Sequence, residues 1–361
     1  MKIIKKLLEY AIVILVFLYI VNRINLTKIE NVLSTFNIKI PVNDVEISYR
    51  VLSPLSPAIY NYEDSIVKVT VSSLKPVSGT INVEFTGITL PYEQSFLVTG
   101  RKEFNIKPVL LPQVDEIFKE AKDVQFKIEV KDPSGKRLYV KSEKVRMLSR
   151  NDMIWKLSDG SDLSPLIASW VTPENAEVRK LLRMAVDYLD RYKLSDTKKT
   201  GAKYTLKAIA GYVNQTNVKK QDLIFAQMAA IFDAMKDGYK IRYVSDIETG
   251  RSDNSQSIKF PEEVLKLRSG LCIETVVTMA SACEAAGMNP VILINENHAI
   301  LGVETSPGSN EYVFWETTDL TESSQKAYQD GVKFYNSNKN NKNLRIIDIK
   351  KARDQGIKPL G

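Results

Sequence analysis

Apolar and polar residues alternate in short runs between about residues 38 and 147. Clear examples are the runs 45–49, 65–71, 80–85 and 124–130. Because successive side chains of a strand point to opposite faces, this period of two predicts strands with one buried face. The segment 131–136, Lys-Asp-Pro-Ser-Gly-Lys, separates two of these runs and predicts a hairpin turn with Gly135 at positive φ.

Several short strands at this spacing predict an all-β domain over residues 30–150. We expect a β-sandwich of immunoglobulin-like type, because turn signals separate the alternating runs at short intervals. No catalytic pattern is found in this region, so its expected role is that of a spacer or a binding module.

From about residue 162 the apolar residues recur at helical spacing. Pro173 with Glu174 and Glu177 indicates a helix start, followed by an apolar stripe over 178–189. A second helix is predicted over 223–235, ended by Asp237-Gly238. These stripes are interpreted as core, and residues 151–361 as one α+β domain.

The N-terminus resembles an export or anchoring signal. Residues 10–21 form an unbroken apolar run after Lys2, Lys5 and Lys6. Extended to 7–26, the run reaches the roughly 20 residues that a spanning helix needs. No small-residue cleavage site and no cysteine for a lipid follow it, which favours an uncleaved signal anchor over 1–29 rather than a removed peptide. The expected location is a single-pass membrane protein with the bulk of the chain extracytoplasmic.

Composition and charge exclude several classes of protein. The 361 residues are 44% apolar and 26% charged, which is enough for a packed core. The two cysteines and single histidine cannot build a zinc ribbon or a disulfide scaffold, and no cofactor is indicated. The basic excess behind the net charge of +7 lies in 1–28 and 333–361, which disfavours nucleic-acid binding by a folded module.

The residues with chemical potential lie between 256 and 318. A mostly apolar helix is predicted from Cys272 to Gly287, followed by strands over 290–294, 298–303 and 312–318. A helix N-terminus stabilises a thiolate and offers N–H groups to an oxyanion. Adjacent antiparallel strands would bring His298 and Glu316 towards Cys272, which is the arrangement of nucleophile, base and orienting acid.

Neighbouring residues have less specific interpretations. Cys283 is interpreted as core; on a regular helix it lies about 16 Å from Cys272, too far for a disulfide. Asp319 is a weaker substitute for Glu316, because three residues along a strand it points to the other face. Trp315 is assigned to packing, and Gln256 is a candidate donor to an oxyanion hole.

These residues resemble a known superfamily. Gly270-Leu271-Cys272, His298-Ala299 and Trp315-Glu316-Thr317-Thr318, with the lead-in 256–265, are similar to the transglutaminase-like superfamily of papain-type thiol folds. The resemblance covers about 200–320 and implies Cys272 as nucleophile, His298 as base and Glu316 as orienting acid. Glu316 departs from the pattern, because the superfamily has Asp at that position.

Together these observations predict a multidomain protein. It would comprise the transmembrane helix, the immunoglobulin-like sandwich and an α+β transglutaminase-like domain. The expected function is a membrane-anchored cysteine peptidase, amidase or transglutaminase that acts on peptide or protein carboxamides, at the cell surface or cell wall. The alternative is an inactive domain of the same type that binds a peptide or protein; the oligomeric state is left open.

Overall fold

The computed structural model describes residues 45–157, 159–213, 217–244 and 255–360, and the chain divides into two units. The first unit consists of Asp64–Pro112, Val124–Lys144 and the described part of Met1–Leu52. The second consists of Ser53–Glu63, Gln113–Asp123 and the described part of Val145–Gly361. The predicted domain limits, at residues 29/30 and 150/151, are not tested by this division and stay a prediction.

One antiparallel sheet forms the first unit. Its strands are β1 (Glu46–Val51), β2 (Val67–Phe85), β3 (Tyr92–Ile106), β4 (Lys122–Lys131) and β5 (Arg137–Met147). The order is β1-β2-β4-β5, and β3 pairs with the other edge of β2. The long strand β2 therefore carries β1 and β4 one after the other along the same edge. The predicted turn joins β4 to β5, with Gly135 at φ 85°.

The predicted immunoglobulin-like fold class is wrong. The chain is α+β with a half-barrel sheet, and every described strand of the first unit belongs to a single sheet rather than to two facing ones. Inward side chains contact one another across this sheet, as Phe126 does with both Phe85 and Tyr49. Alternation in sequence indicates that one face is buried, but it does not say what buries that face.

No helix in the described ranges is long and apolar enough to cross a membrane. The predicted anchor over 1–29 lies outside the described residues.

The helices of the second unit surround a small sheet. They are α1 (Pro57–Tyr62), α2 (Val114–Ile117), α3 (Ala176–Val186), α4 (Lys220–Asp233), α5 (Pro261–Leu267), α6 (Cys272–Ala285), α7 (Ser324–Asn338) and α8 (Ile349–Asp354). Two 3-10 segments, Ser164–Trp170 and Leu189–Arg191, flank α3, and a π turn over Ala234–Gly238 continues α4. The predicted helices over 178–189, 223–235 and 272–287 are confirmed as α3, α4 and α6, with ends shifted by a few residues.

The strands of the second unit include several very short pairs. The strands are β6 (Asp152–Ile154), β7 (Leu194–Ser195), β8 (Lys203–Tyr204), β9 (Arg242–Tyr243), β10 (Ser255–Ser257), β11 (Ser269–Gly270), β12 (Pro290–Ile294), β13 (Ala299–Glu304), β14 (Tyr312–Trp315) and β15 (Arg345–Asp348). The main sheet has the order β14-β13-β12-β15, with every pair antiparallel. It confirms the three predicted strands, although the third ends at Trp315 rather than at residue 318.

Helices cover both faces of the main sheet. One face presents Val291, Leu293, Ile300 and Phe314 to α7, with Phe334 among the packed aromatic residues. The other face carries the cross-strand row Ile292, Leu301 and Trp315, and the Trp315 ring packs on Phe225 and Phe232 of α4. Helix α6 packs against β12 and β13.

Close contact between α7 and β14 depends on Gly331. A Cβ added at Gly331 would lie 2.5 Å from the Trp315 nitrogen and 2.7 Å from its Cα. Real side chains do not tolerate such distances from backbone atoms. The absence of a side chain therefore allows α7 to lie directly against the end of β14, next to Glu316.

Helix α6 is buried along nearly its whole length. Eleven of its fourteen residues are buried, including Cys283, which has no exposed surface and whose thiol pKa is raised by that burial. The predicted core position of Cys283 is thus confirmed. The C-terminal end of α6 is held by a bidentate ion pair between Glu284 and Arg353 of α8, with both N–O distances at 3.0 Å.

Candidate functional site

Cys272 is the first residue of α6, and its position is set by a buried carboxylate. Glu274 accepts a hydrogen bond from the Leu271 N–H at 2.8 Å, which closes the helix start. The same carboxylate accepts the N–H of Lys259 at 2.9 Å and an ion pair from its Nζ at 3.0 Å. With its side chain only 2% exposed, Glu274 ties the segment before α5 to the residue before Cys272.

A second bond connects the helix start to the acid-bearing strand. The Thr275 hydroxyl donates to the Cys272 carbonyl at 2.9 Å, and Thr317 Oγ1 lies 2.9 Å from the same hydroxyl oxygen. Because a hydroxyl has one proton, the Thr317 hydroxyl must donate to Thr275. Both threonines are fully buried, so this bond holds Cys272 and the end of β14 in register.

His298 lies immediately before β13, in a tight turn closed by Asn295. The Asn295 side-chain oxygen accepts the N–H groups of Asn297 and His298, at 3.0 and 2.8 Å. The imidazole packs edge-on against Phe334 of α7, with ring centres 5.6 Å apart. The turn fixes the backbone of His298, and the aromatic contact limits the rotation of its ring.

Glu316 follows directly after β14 and contacts the imidazole. Leu301 pairs with Trp315, so the same register continued places Glu316 diagonally across from His298, on the same face. Glu316 Oε2 lies 2.6 Å from His298 Nε2. The Glu316 N–H donates to the Ala327 carbonyl of α7 at 2.9 Å instead of continuing the sheet, which explains why the strand ends early.

The second carboxylate oxygen of Glu316 is held by Thr318. Oε1 accepts the Thr318 N–H at 3.0 Å and its hydroxyl at 2.6 Å. The Glu316 side chain is 11% exposed, so these bonds operate in a largely water-free setting. The longer side chain of glutamate therefore still reaches the imidazole.

The electrostatic state of His298 follows from its two neighbours. Burial lowers its pKa, but hydrogen bonds that the ring donates to the Cys272 and Glu316 side chains, together with the negative charges there, outweigh burial and raise the pKa to about 10. Since Nε2 faces Glu316, Nδ1 is the ring nitrogen left for Cys272. The structure thus places Cys272 and His298 side by side in one cleft, with His298 hydrogen-bonded to Glu316.

Asp319 does not contact the imidazole. Burial, a hydrogen bond shared with Asp330 and the charge of Glu316 raise its pKa to about 6. Its Oδ2 atom is buried without a hydrogen-bond partner among the described residues. Asp319 therefore lies behind Glu316 and does not replace it.

A cleft of about 840 Å³ opens over Cys272 and His298. Gln256 of β10 lies in its wall, and its Oε1 accepts the indole N–H of Trp155 at 3.0 Å. An indole nitrogen can only donate, so this bond fixes the orientation of the Gln256 amide and leaves its Nε2 donors for the cleft. Trp155 and Thr318 were missed in the sequence, because nothing in the local pattern signals their contacts.

Within the ranges that the structure describes, no group of three or more His, Cys, Asp or Glu residues is arranged to hold a metal ion. A scan against protein-family models finds no match for this chain, and a search of curated proteins finds none either.

Proposed function

We propose that this protein is a thiol-dependent acyl-transfer enzyme in which Cys272 is the nucleophile, His298 the base and Glu316 the orienting acid. The observation that carries the proposal is the continuous contact from the Cys272 side chain through His298 to Glu316, at the start of a buried helix. The order of a cysteine helix, a histidine strand and an acidic strand also supports kinship with the transglutaminase-like superfamily.

The resting state follows from the hydrogen bonds of the imidazole. Nε2–H donates to the Glu316 carboxylate, which fixes the ring and favours its cationic form. A cation next to a thiol at a helix N-terminus favours the thiolate, which is the nucleophilic form. Nδ1–H of the cationic ring is then in place to protonate the leaving group.

The reaction proceeds in two halves. The Cys272 sulfur forms a bond to the carbonyl carbon of a carboxamide, and Nδ1–H protonates the leaving nitrogen as the C–N bond breaks. The products of this half are a free amine and a thioester on Cys272. In the second half His298 removes a proton from water or an amine, which attacks the thioester and releases an acid or a new amide.

Two groups are placed to stabilise the negatively charged oxygen that forms on the carbonyl in each half of the reaction. The first-turn N–H groups of α6 have no side-chain cap, because Leu271 carries no acceptor. The Gln256 Nε2 group lines the same cleft. Donors of this kind are worth about 10²- to 10³-fold in rate each. The substrate class we propose is a peptide or protein carboxamide.

Alkylation of the full-length chain by iodoacetamide tests the proposal. Cys283 is fully buried, so alkylation of the folded protein measures the reactivity of Cys272 alone. Cys283→Ser serves as the matched control. At pH 6 we expect Cys272 to react several-fold faster than a free thiol, which is then almost entirely protonated. Cys272→Ser should abolish the signal, and His298→Ala should lower the rate to that of the free thiol.

The opposite result would favour the alternative function. If Cys272 reacts at pH 6 no faster than N-acetylcysteine amide, and His298→Ala changes nothing, the site is not catalytic. The protein would then be a module that binds a peptide or a protein partner through the same cleft.

A further inference from the structure

The cleft over Cys272 is lined by three cationic side chains. Lys156 lies in one wall, and Lys342 and Arg345 lie in the same cleft near the β15 end of the main sheet. Within the part of the chain that the structure describes, none of the three has an ion-pair partner. Their charges therefore face the space in which a substrate would bind.

The two acidic residues of the cleft, Asp162 and Glu296, already accept hydrogen bonds from neighbouring side chains or backbone. Asp162 accepts the N–H and hydroxyl of Ser164, at 3.1 and 2.9 Å. Glu296 accepts the side-chain N–H of Asn343 at 2.6 Å. Among the described residues, neither acid forms an ion pair with Lys156, Lys342 or Arg345.

Arg345 is the most informative of the three cations. It is half-buried, whereas Lys156 and Lys342 are exposed. Its guanidinium has no hydrogen-bond partner among the described residues. A guanidinium in a cleft whose donors no protein group uses can exchange its water for the acceptors of a ligand, and its planar fork fits a carboxylate.

The sheet register places Arg345 close to the catalytic histidine. Arg345 pairs with Ile294 on β12, and Ile294 pairs with Ala299 on β13, the residue after His298. Arg345, Ile294 and Ala299 therefore share one face of the sheet, and two strand spacings amount to about 10 Å. His298 directly precedes Ala299, and both His298 and Arg345 border the cleft at this end of the sheet. One extended substrate residue covers about 3.5 Å, so a group one or two residues from the reacting carbonyl can reach Arg345.

We propose that Arg345 binds a carboxylate of the substrate, located within two residues of the carbonyl that Cys272 attacks. This inference rests on the proposed function and names its substrate class as acidic peptides or amides. The carboxylate is either an Asp or Glu side chain or a chain terminus. Arg345 is thus a specificity residue rather than a participant in bond formation.

Two alkylating reagents of different charge test the proposal without a known substrate. Iodoacetate carries a carboxylate next to the reacting carbon, and iodoacetamide is its neutral counterpart. We expect Arg345→Gln to lower the ratio of the iodoacetate rate to the iodoacetamide rate at least fivefold. Arg345→Lys should retain part of the ratio, because it keeps the charge and loses the fork.

The controls separate this inference from the proposed function. Lys350→Gln removes an exposed cation outside the cleft and should leave the ratio unchanged. The charge of His298 contributes equally in all variants, so it cancels. A thiol inert to iodoacetamide in every variant would contradict the proposed function alone, whereas a normal iodoacetamide rate with an unaltered ratio in Arg345→Gln would overturn the role of Arg345.

Binding to the Cys272→Ser chain provides a measurement that needs no reactive thiol. We expect N-acetylglutamate α-amide or N-acetylglutamine to bind, and Arg345→Gln to weaken binding at least tenfold by calorimetry. Preference for the first ligand assigns the site to acidic side chains, and preference for the second assigns it to a chain terminus. Failure of both to bind would refute the proposal.

Discussion

Replacing Glu316 by Gln tests the electrostatic basis of the site. The substitution keeps the size of the side chain but removes the charge that faces His298 Nε2. It also leaves Thr318 able to donate to the side-chain oxygen, so the position of residue 316 should be preserved. The expected result is a lower pKa for His298, because the cationic ring loses its carboxylate partner.

The magnitude follows from the geometry of that contact. The distance of 2.6 Å and the 11% exposure of Glu316 describe a charge-assisted hydrogen bond that water barely screens. Bonds of this kind contribute about 1.5–3 kcal/mol, and each pKa unit corresponds to about 1.4 kcal/mol. The pKa of His298, raised to about 10 in the intact site, should fall by about 1–2 units in Glu316→Gln.

The assay is unusually clean because the chain contains a single histidine. One imidazole resonance, followed by NMR between pH 5 and 11, reports His298 without any assignment problem. Glu316→Asp is the matched variant, since it keeps the charge and withdraws it by about 1.5 Å, the length of one carbon–carbon bond. We expect a pKa for this variant between those of the wild type and Glu316→Gln.

Two outcomes would refute the reasoning. A wild-type His298 that titrates near 6.5 would mean that the contacts with Cys272 and Glu316 do not hold the imidazolium. A Glu316→Gln variant with the same pKa as the wild type would mean that the carboxylate does not act on the ring. Circular dichroism of each variant establishes that the fold is retained.

Three further predictions concern stability and catalysis. Gly331→Ala should force α7 away from Trp315 and lower the free energy of unfolding by about 1–3 kcal/mol in urea titrations, whereas the exposed Ser337→Ala should change it by less than about 0.5 kcal/mol. Because folding raises the pKa of His298, its contribution to stability is complete below pH 6.5 and is lost as pH rises towards 10, so the melting temperature should fall over that interval and the fall should be smaller in His298→Ala. Gln256→Ala should slow turnover of an activated ester such as p-nitrophenyl acetate by about 10²-fold while leaving the iodoacetamide rate unchanged, and an equal loss in both assays would contradict its role in the oxyanion hole.

The chemistry-bearing elements could be predicted because their signals are local. Helix α6 is an apolar run that begins at Cys272, and the two strands that follow are short apolar segments separated by turn residues. The proximity of Cys272, His298 and Glu316 then depends only on neighbouring strands and the helix before them. The contacts of Trp155, Thr318 and Arg345 could not be predicted in this way. Trp155 bonds to Gln256, and Arg345 reaches the cleft through the pairing of β15 with β12, so both positions depend on segments far apart in sequence. The bond from Thr318 to Glu316 depends on how the chain turns after β14.

The wrong prediction of an immunoglobulin-like sandwich for the first unit has a similar cause. Strands with one buried face form a sandwich when a second sheet covers them, and they curl when their own inward side chains meet. Both architectures produce the same alternation in sequence. What distinguishes them is that the described strands of this unit belong to a single sheet. That depends on strand pairings such as β2 with β4, which places Phe85 opposite Phe126 and which the sequence does not reveal.

The burial of α6 has a consequence for how the site meets different substrates. Because eleven of the fourteen residues of α6 are buried, we expect the helix to open rarely and the backbone of Cys272 to keep its position when a ligand enters the cleft. Little reorganisation is then needed at the moment of attack. The walls of the cleft, above all the turn at Asn295 and the β15 edge, would then be the parts that adjust to ligands of different shape. Under the proposed function, variation in those walls would change the substrate without moving Cys272.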